Sequence, residues 1–147
     1  MKKRWPILLG VALMSYLAGA IAPVAFTQSE KAPKYVAVGY MKVPSGKEQT
    51  YLEVESSIWK PIHRKLIENG SQRSWTLYGV LSAGTGDPYN FLTVQAFDSL
   101  DQYYGAEYGK AMGEAHPGRA AESIFEQTLK ARDMVAVKLM QRIDHVE

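Results

Sequence analysis

After residue 34, apolar residues either alternate with polar ones or recur every three to four positions along the chain. Alternating runs rich in β-branched and aromatic residues predict strands, and a single apolar stripe predicts a helix. The predicted strands span 35–43, 73–81, 89–97 and 134–142, and the predicted helices span 47–69, 98–115 and 119–132. The order β-α-β-β-α-(α)-β is typical of an α+β, ferredoxin-like fold, in which helices cover one face of a four-stranded antiparallel sheet.

The first predicted helix carries the clearest pattern. Its apolar stripe recurs at three- and four-residue spacing and comprises Tyr51, Val54, Ile58, Ile62 and Leu66. Pro61 lies inside this helix, where it removes a backbone hydrogen bond and crowds the carbonyl four residues back. We therefore expect the helix to be distorted near Ser57 to Trp59. Asn69 and Gly70 then predict a left-handed helix stop.

Both faces of the predicted sheet carry large side chains. On the second strand Trp75 and Leu77 point to one face, and Tyr78 points to the other. A sheet that helices cover on one side only needs a second cover when its other face is aromatic and apolar. Two such sheets facing each other would supply that cover, so the sequence predicts a homodimer.

The first 26 residues have the three parts of an export signal. Basic residues occupy positions 2–4, an apolar run spans 6–21, and small residues follow. The run is shorter than a transmembrane helix requires, although an uncleaved N-terminal anchor is the alternative. The sequence thus predicts a periplasmic or secreted protein divided into a signal peptide 1–26, a linker 27–34, a domain 35–143 and a tail 144–147.

Charge and cysteine content exclude several classes of partner. The chain has 17 basic and 15 acidic residues, and removing the three basic residues of the signal leaves a net charge of −1. A nearly neutral domain lacks the positive surface that binds nucleic acid or an anionic membrane. Because cysteine is absent, there is no disulfide, thiolate metal site or lipid attachment.

Over residues 35–142 the chain resembles the dimeric α/β-barrel superfamily. Besides the order of elements, the similarity is carried by the run YVAVGYMKVPSGKEQTYLEVESSIWKPIHRKLIENGSQRSWTLY, which resembles a group of uncharacterised exported bacterial proteins with this fold. The resemblance implies two ferredoxin-like subunits whose sheets close around a central cavity. Known members include haem-degrading and antibiotic-biosynthesis monooxygenases, lactone isomerases and stress-response proteins, so the resemblance implies a fold and not one activity.

Seven residues are candidates for a site. The catalytic candidates are His63, Tyr78 and Gln95, and the ligand-binding candidates are Trp59, Trp75, Phe91 and Thr93. His63 could be a general base or a metal or haem ligand, and Glu55 points to nearly the same side of the helix. The alternative is a histidine at the edge of an amphipathic helix. The mixed set of aromatic and polar residues is equally typical of a small-molecule pocket and of a dimer core.

No metal or cofactor is expected. A lone histidine without a second ligand at suitable spacing is a weak metal site, and His63 lies on the first helix, where the haem-degrading members do not place their ligand. The sequence therefore predicts an exported homodimer that binds a small, partly apolar molecule in the barrel cavity. A cofactor-independent oxygenase or isomerase is the reaction type implied by the superfamily. The alternative is a non-enzymatic structural or interaction protein of the cell envelope, which would contact a membrane only through an uncleaved N-terminal segment.

Overall fold

The computed structural model describes residues 32–146, so the predicted signal peptide and most of the linker lie outside the described residues. Within this range the strands are β1 (Tyr35–Lys42), β2 (Ser74–Gly79), β3 (Phe91–Phe97) and β4 (Asp133–Gln141). They form one antiparallel sheet in the order β2-β3-β1-β4, which leaves β2 and β4 at its edges. The predicted ferredoxin-like arrangement is confirmed.

The helical segment between β1 and β2 is distorted where the proline predicted it. It consists of α1 (Glu48–Val54), a π-helical turn (Glu55–Trp59) and α2 (Lys60–Glu68). At this turn the N–H of Lys60 donates to the carbonyl of Glu55, five residues back. Because Pro61 has no N–H, the regular ladder of hydrogen bonds cannot continue through this region.

The helix predicted for 98–115 is divided into α3 (Leu100–Tyr104) and α4 (Tyr108–Ala115). The hydroxyl of Ser99 caps α3 by accepting from the N–H of Gln102 at 3.1 Å. Gly105 ends it by donating to the carbonyl of Asp101 at 2.8 Å, and a Cβ at position 105 would lie only 2.7 Å from that oxygen. This close approach accounts for the glycine and for the break in the helix.

The last helix, α5 (Ala121–Ala131), buries a different stripe from the expected one. Helical spacing in the sequence also favours a buried stripe of Ala121, Ile124, Phe125 and Leu129, whereas the structure buries Ile124, Thr128 and Ala131. Phe125 is 47% exposed and Leu129 is 66% exposed. The helix packs against α1 and α4 through its buried side, and this leaves the apolar side of α5 uncovered.

The core lies between the sheet and the helices. The helices contribute the predicted apolar stripe from Tyr51 to Leu66, and every residue of this stripe is buried. The stripe belongs to one cluster with Met41 from β1 and Met112 from α4. Strand register places Trp75, Leu77, Thr93 and Gln95 on the helix side of the sheet. Tyr78 lies on the opposite, open side beside Leu92. None of the helices described between residues 32 and 146 has the length and apolar character needed to span a bilayer.

The two sides of α2 should therefore differ in their contribution to stability. Ile62 is fully buried and Ile67 is 40% exposed, although both are isoleucines of the same helix. We expect Ile62→Ala to lower the free energy of unfolding by about 2–5 kcal/mol, and Ile67→Ala to lower it by about 1 kcal/mol or less. Urea unfolding monitored by circular dichroism measures both, and equal effects would contradict the described packing.

Candidate functional site

A cavity of about 270 Å³ lies between the sheet and the helices of a single chain. This volume is close to the lower end of the range for small-molecule sites. Strands supply one wall through Gly39, Met41, Trp75, Thr93, Gln95, Met134 and Val137. The helical elements supply the opposite wall, together with Arg132, which directly follows α5. Their residues in this wall are Glu55, Trp59, His63, Tyr108, Met112 and Phe125. Most of these side chains are apolar or aromatic, and the polar ones are few.

His63 is held in one tautomer by a neighbour that follows α2 directly. The left-handed Gly70 turns the chain back, so the buried side chain of Gln72 reaches the imidazole. Gln72 donates from Nε2 to the carbonyl of Ser74 at 2.7 Å, so its Oε1 faces Nδ1 of His63 at 2.9 Å. Nδ1 must therefore carry the proton, and Nε2 keeps its lone pair.

Burial keeps His63 neutral. The residue is only 4% exposed, and desolvation lowers its pKa to about 4, with the Gln72 hydrogen bond acting weakly in the opposite direction. At neutral pH the imidazole is thus a hydrogen-bond acceptor at Nε2 and not a cation. Aromatic rings surround it: Trp75 stacks on it at 5.2 Å between centroids, and Tyr108 meets it edge-on at 5.9 Å.

Two further hydrogen bonds fix the lining. Trp59 donates from Nε1 to the hydroxyl of Thr128 at 2.9 Å, which ties the π-helical turn to α5. Tyr108 donates to Oε1 of Gln95 at 2.5 Å, and burial raises the pKa of Tyr108 to about 12. Because Oε1 of Gln95 is the acceptor in this bond, its amide N–H groups remain as donors at the cavity wall.

A buried ion pair forms another part of the wall. Glu55 lies in the π-helical turn and Arg132 follows α5, and they are 2% and 6% exposed. Oε1 of Glu55 is 3.6 Å from Nε of Arg132, which is longer than a hydrogen bond. Burial raises the pKa of the Glu55 carboxyl, although the charge of Arg132 acts to lower it.

The structure brings together five of the seven sequence-predicted site residues. Trp59, His63, Trp75, Thr93 and Gln95 all line this cavity. The sequence placed the cavity between the sheets of two subunits, whereas this one lies on the helix side of one sheet.

The other two predicted residues lie elsewhere. Phe91 packs edge-on against Tyr51 in the core at 4.9 Å between ring centroids. Tyr78 is 52% exposed on the open side of the sheet, so the structure does not bring it near His63 and Gln95.

Several residues of the site were not singled out from the sequence. Gln72 and Tyr108 reach the cavity through a turn and a helix break whose geometry the sequence pattern does not specify. Glu55 was placed on the side of His63 by the sequence, although not as a site residue, and its position one helical turn after Tyr51 also puts it beside the buried stripe. Arg132 had a similar signal in the sequence, since it follows Thr128 by four residues on the buried side of α5.

The arrangement can hold a small molecule between aromatic rings and offer it an acceptor and several donors. The acceptor is Nε2 of His63, and the neutral donors are the amide of Gln95 and the indole N–H of Trp75. Nothing described between residues 32 and 146 forms a group of three or more histidine, aspartate or glutamate side chains able to hold a metal ion.

The fold and site define an α+β protein of ferredoxin-like topology with a cavity under its helices. Among solved structures, the chain is similar to a dimeric ferredoxin-like protein of unknown function from Thermobifida fusca. The two are 12% identical with a TM-score of 0.49, and the match covers 76% of this chain and 93% of that one. No protein-family model matches the chain, and no curated protein is significantly similar to it.

The buried neutral His63 should make stability depend on pH. Its pKa is about 4 in the folded protein against 6.5 in the unfolded chain, so the folded state binds fewer protons between these values. Stability is therefore lost as the pH falls from 6.5 to 4, by about 3 kcal/mol from this residue. We expect His63→Gln to lack that loss when urea unfolding is compared at pH 7 and pH 4.

Comparing the wild type with His63→Gln separates the contribution of His63 to the pH dependence of stability from the contributions of its neighbours. Glu55, whose pKa burial raises, contributes a pH dependence of the opposite sign. That contribution is present in both proteins and cancels in the difference between their curves. Parallel curves over this pH range would contradict a buried, neutral imidazole.

Proposed function

We propose that the protein is an exported homodimer that binds a small, partly apolar molecule in the cavity between its sheet and helices. One observation carries the proposal: among residues 32–146, Nε1 of Trp75 is buried at the cavity wall without a hydrogen-bond partner, and in the same wall Oε1 of Glu55 and Nε of Arg132 are too far apart to hydrogen-bond to each other. Buried polar atoms are nearly always hydrogen-bonded. Their presence in a largely apolar concave wall favours a ligand that supplies the missing partners.

Catalysis is the finer part of the proposal. The superfamily resemblance suggests a cofactor-independent oxygenase or isomerase, and the group suited to such chemistry is His63, whose Nε2 can accept a proton from a bound molecule. Gln95 is suited to hold a polar atom of that molecule through its amide. Tyr78 has no part in this proposal, because it lies on the other side of the sheet.

The open side of the sheet supports the homodimer. Strand register gathers there Val36, Val38, Tyr40, Tyr78, Leu92, Val94 and Met140. Among the residues that β1 and β4 place on this side between Val36 and Tyr40, the one charged group is Lys138, which lies over the ring of Tyr40. An apolar surface of this kind favours burial against a second copy, because the same patch is then covered on both subunits.

An interaction protein of the cell envelope is the second candidate. It is favoured by exposed apolar side chains along α5 and the edge strand β4, notably Phe125, Leu129, Met134 and Val135. An unpaired edge strand with apolar neighbours is suited to contact with another protein. Binding of small neutral molecules in the cavity distinguishes this candidate from the first.

Filling the cavity should weaken binding. A Cβ at Gly39 would lie 2.8 Å from Oγ1 of Thr93 and 2.8 Å from Cε of Met41, so Gly39→Ala crowds the cavity wall. We expect the wild type to bind at least one of the neutral probes phenylacetamide, p-cresol and cyclohexanol, and Gly39→Ala to bind it about tenfold more weakly. Trp59 and Trp75 line the cavity and are the only tryptophans after residue 26, so their fluorescence reports binding.

Gly113→Ala provides the matched control. A Cβ at Gly113 on α4 meets no atom within 4 Å, so this variant should bind like the wild type. Circular dichroism of both variants checks that the fold is kept. If the wild type binds none of these probes and no charged analogue of phenylacetamide, the ligand-binding proposal is wrong and the interaction protein becomes the better candidate.

Dimerisation and export can be measured together by native mass spectrometry of the protein isolated from outside the cytoplasm. We expect a dimer of chains that begin at Pro23 or Phe26, after cleavage of the signal. Val94→Glu places a charge in the middle of the open side and should yield monomers. Thr50→Glu adds the same charge on exposed α1 and should leave the dimer intact.

Export, the interface on the open side and the homodimer can each be contradicted by a separate result. A full-length chain found only in the membrane fraction would replace the cleaved signal with an uncleaved anchor. A dimer that persists in Val94→Glu would exclude the open side of the sheet as the interface, and a monomeric wild type would exclude the homodimer.

A further inference from the structure

Arg132 is a buried charge whose ion-pair partner, Glu55, engages only part of its hydrogen-bonding capacity. Its side chain is 6% exposed at the cavity wall, and its Nε has no partner within hydrogen-bond distance among residues 32–146. The ion-pair distance to Oε1 of Glu55, 3.6 Å, exceeds that of a hydrogen bond. A guanidinium has five N–H donors, and burying it without partners is costly. The long contact with Glu55 therefore leaves donors of Arg132 available to a bound molecule.

The charges around the cavity favour an anion over a cation. The titratable residues of its wall are Glu55, His63, Tyr108 and Arg132. His63 is neutral above its pKa of about 4, and Tyr108 is neutral below its pKa of about 12. Glu55 can become neutral by taking up a proton, whereas an arginine cannot lose its charge. The cavity is thus neutral or positive across the physiological range, and never negative.

The shape of the Arg132 guanidinium and the residues that line the cavity indicate which class of anion fits best. A planar guanidinium matches the two oxygens of a carboxylate and can donate to both. The Glu55 carboxyl beside Arg132 would repel a doubly charged group such as phosphate more strongly than a single negative charge. The remaining wall is aromatic and aliphatic, with Trp59, Trp75 and Phe125 among its residues. A ligand with a carboxylate at one end and an apolar, aromatic-sized body fits both parts.

We propose that the ligand of this cavity is a small monocarboxylate with an apolar body, and that Arg132 binds its carboxylate. This inference rests on the proposed ligand-binding function and specifies the chemical class of the ligand. Glu55 competes with the ligand for the guanidinium when ionised and can donate to the carboxylate when protonated. The apolar body lies among the rings that surround His63, where the amide of Gln95 and Nε2 of His63 contact any further polar atom.

Three probes of similar shape and different charge test the proposal. Phenylacetate is the anion, phenylacetamide its neutral counterpart and phenethylamine the cation, and each is titrated at pH 7 while tryptophan fluorescence is recorded. We expect phenylacetate to bind at least about tenfold more tightly than phenylacetamide, because a hydrogen bond between two charged groups is stronger than its neutral equivalent. Phenethylamine should bind most weakly of the three.

Substitutions of Arg132 and Glu55 identify which side chain causes the preference for phenylacetate. Arg132→Gln should abolish the preference for phenylacetate, whereas Glu55→Gln should keep or increase it by removing the competing carboxylate. The double variant Glu55→Gln/Arg132→Gln removes both charges together, which avoids leaving one buried charge unpaired, and should also lack the preference. Arg119→Gln is the matched control, since Arg119 is not part of the cavity wall, and it should bind like the wild type.

The contrary outcomes are distinct. Equal binding of phenylacetate and phenylacetamide, or a preference that survives in the folded double variant, overturns the role of Arg132 and leaves the ligand-binding function standing. Tightest binding of phenethylamine, lost in Glu55→Gln, makes Glu55 the recognition group and the ligand a cation. If none of the three probes binds to the folded wild type, this inference fails, and the proposed function fails with it when p-cresol and cyclohexanol do not bind either.

Discussion

The π-helical turn at Glu55–Trp59 is the feature on which the rest of the site depends. Pro61 cannot donate a backbone hydrogen bond, and the wider turn that precedes it directs Glu55 inward beside Tyr51. Other elements are attached to this turn: Nε2 of His116 contacts the carbonyl of Ile58 at 3.0 Å, and Trp59 donates to Thr128. The turn therefore fixes the positions of α4 and α5 as well as that of its own side chains, and a cavity remains between them and the sheet.

The sequence was sufficient for the fold because each element has its own local signal. Alternation in β1 and β3, the stripe from Tyr51 to Leu66, and the stop at Gly70 each act over a few residues and agree with one another. The errors arose where the local signal was ambiguous. Phe125 and Leu129 have helical spacing with Ile124, yet the choice between two adjacent apolar stripes of α5 depends on which neighbour the helix packs against.

The site was less predictable than the fold for the same reason. Trp59 and His63 could be placed together, because they share a helix at four-residue spacing. Gln72 and Arg132 come from a turn and a helix end, so their contacts with His63 and Glu55 depend on three-dimensional packing that no local pattern encodes. Tyr78 shows the opposite error: a shift of one residue along β2 moves a side chain to the other face of the sheet, and the sequence did not define which face lined the cavity.

The two faces of the sheet separate the two sites that we propose, a ligand cavity on the helix side and a dimer interface on the open side. The sequence grouped Trp75, Gln95 and Tyr78 as one set of candidates, and the register places Trp75 and Gln95 on one side of the sheet and Tyr78 on the other. The helix side holds the indole N–H of Trp75, which has no hydrogen-bond partner among residues 32–146, and the long ion pair of Glu55 and Arg132. The open side is largely apolar around Tyr40 and Leu92, and Thr76 and Lys138 are among its polar members. Because a strand presents alternate residues to opposite faces, each of the four strands serves both sides, and a substitution at one position need not disturb its neighbour's role.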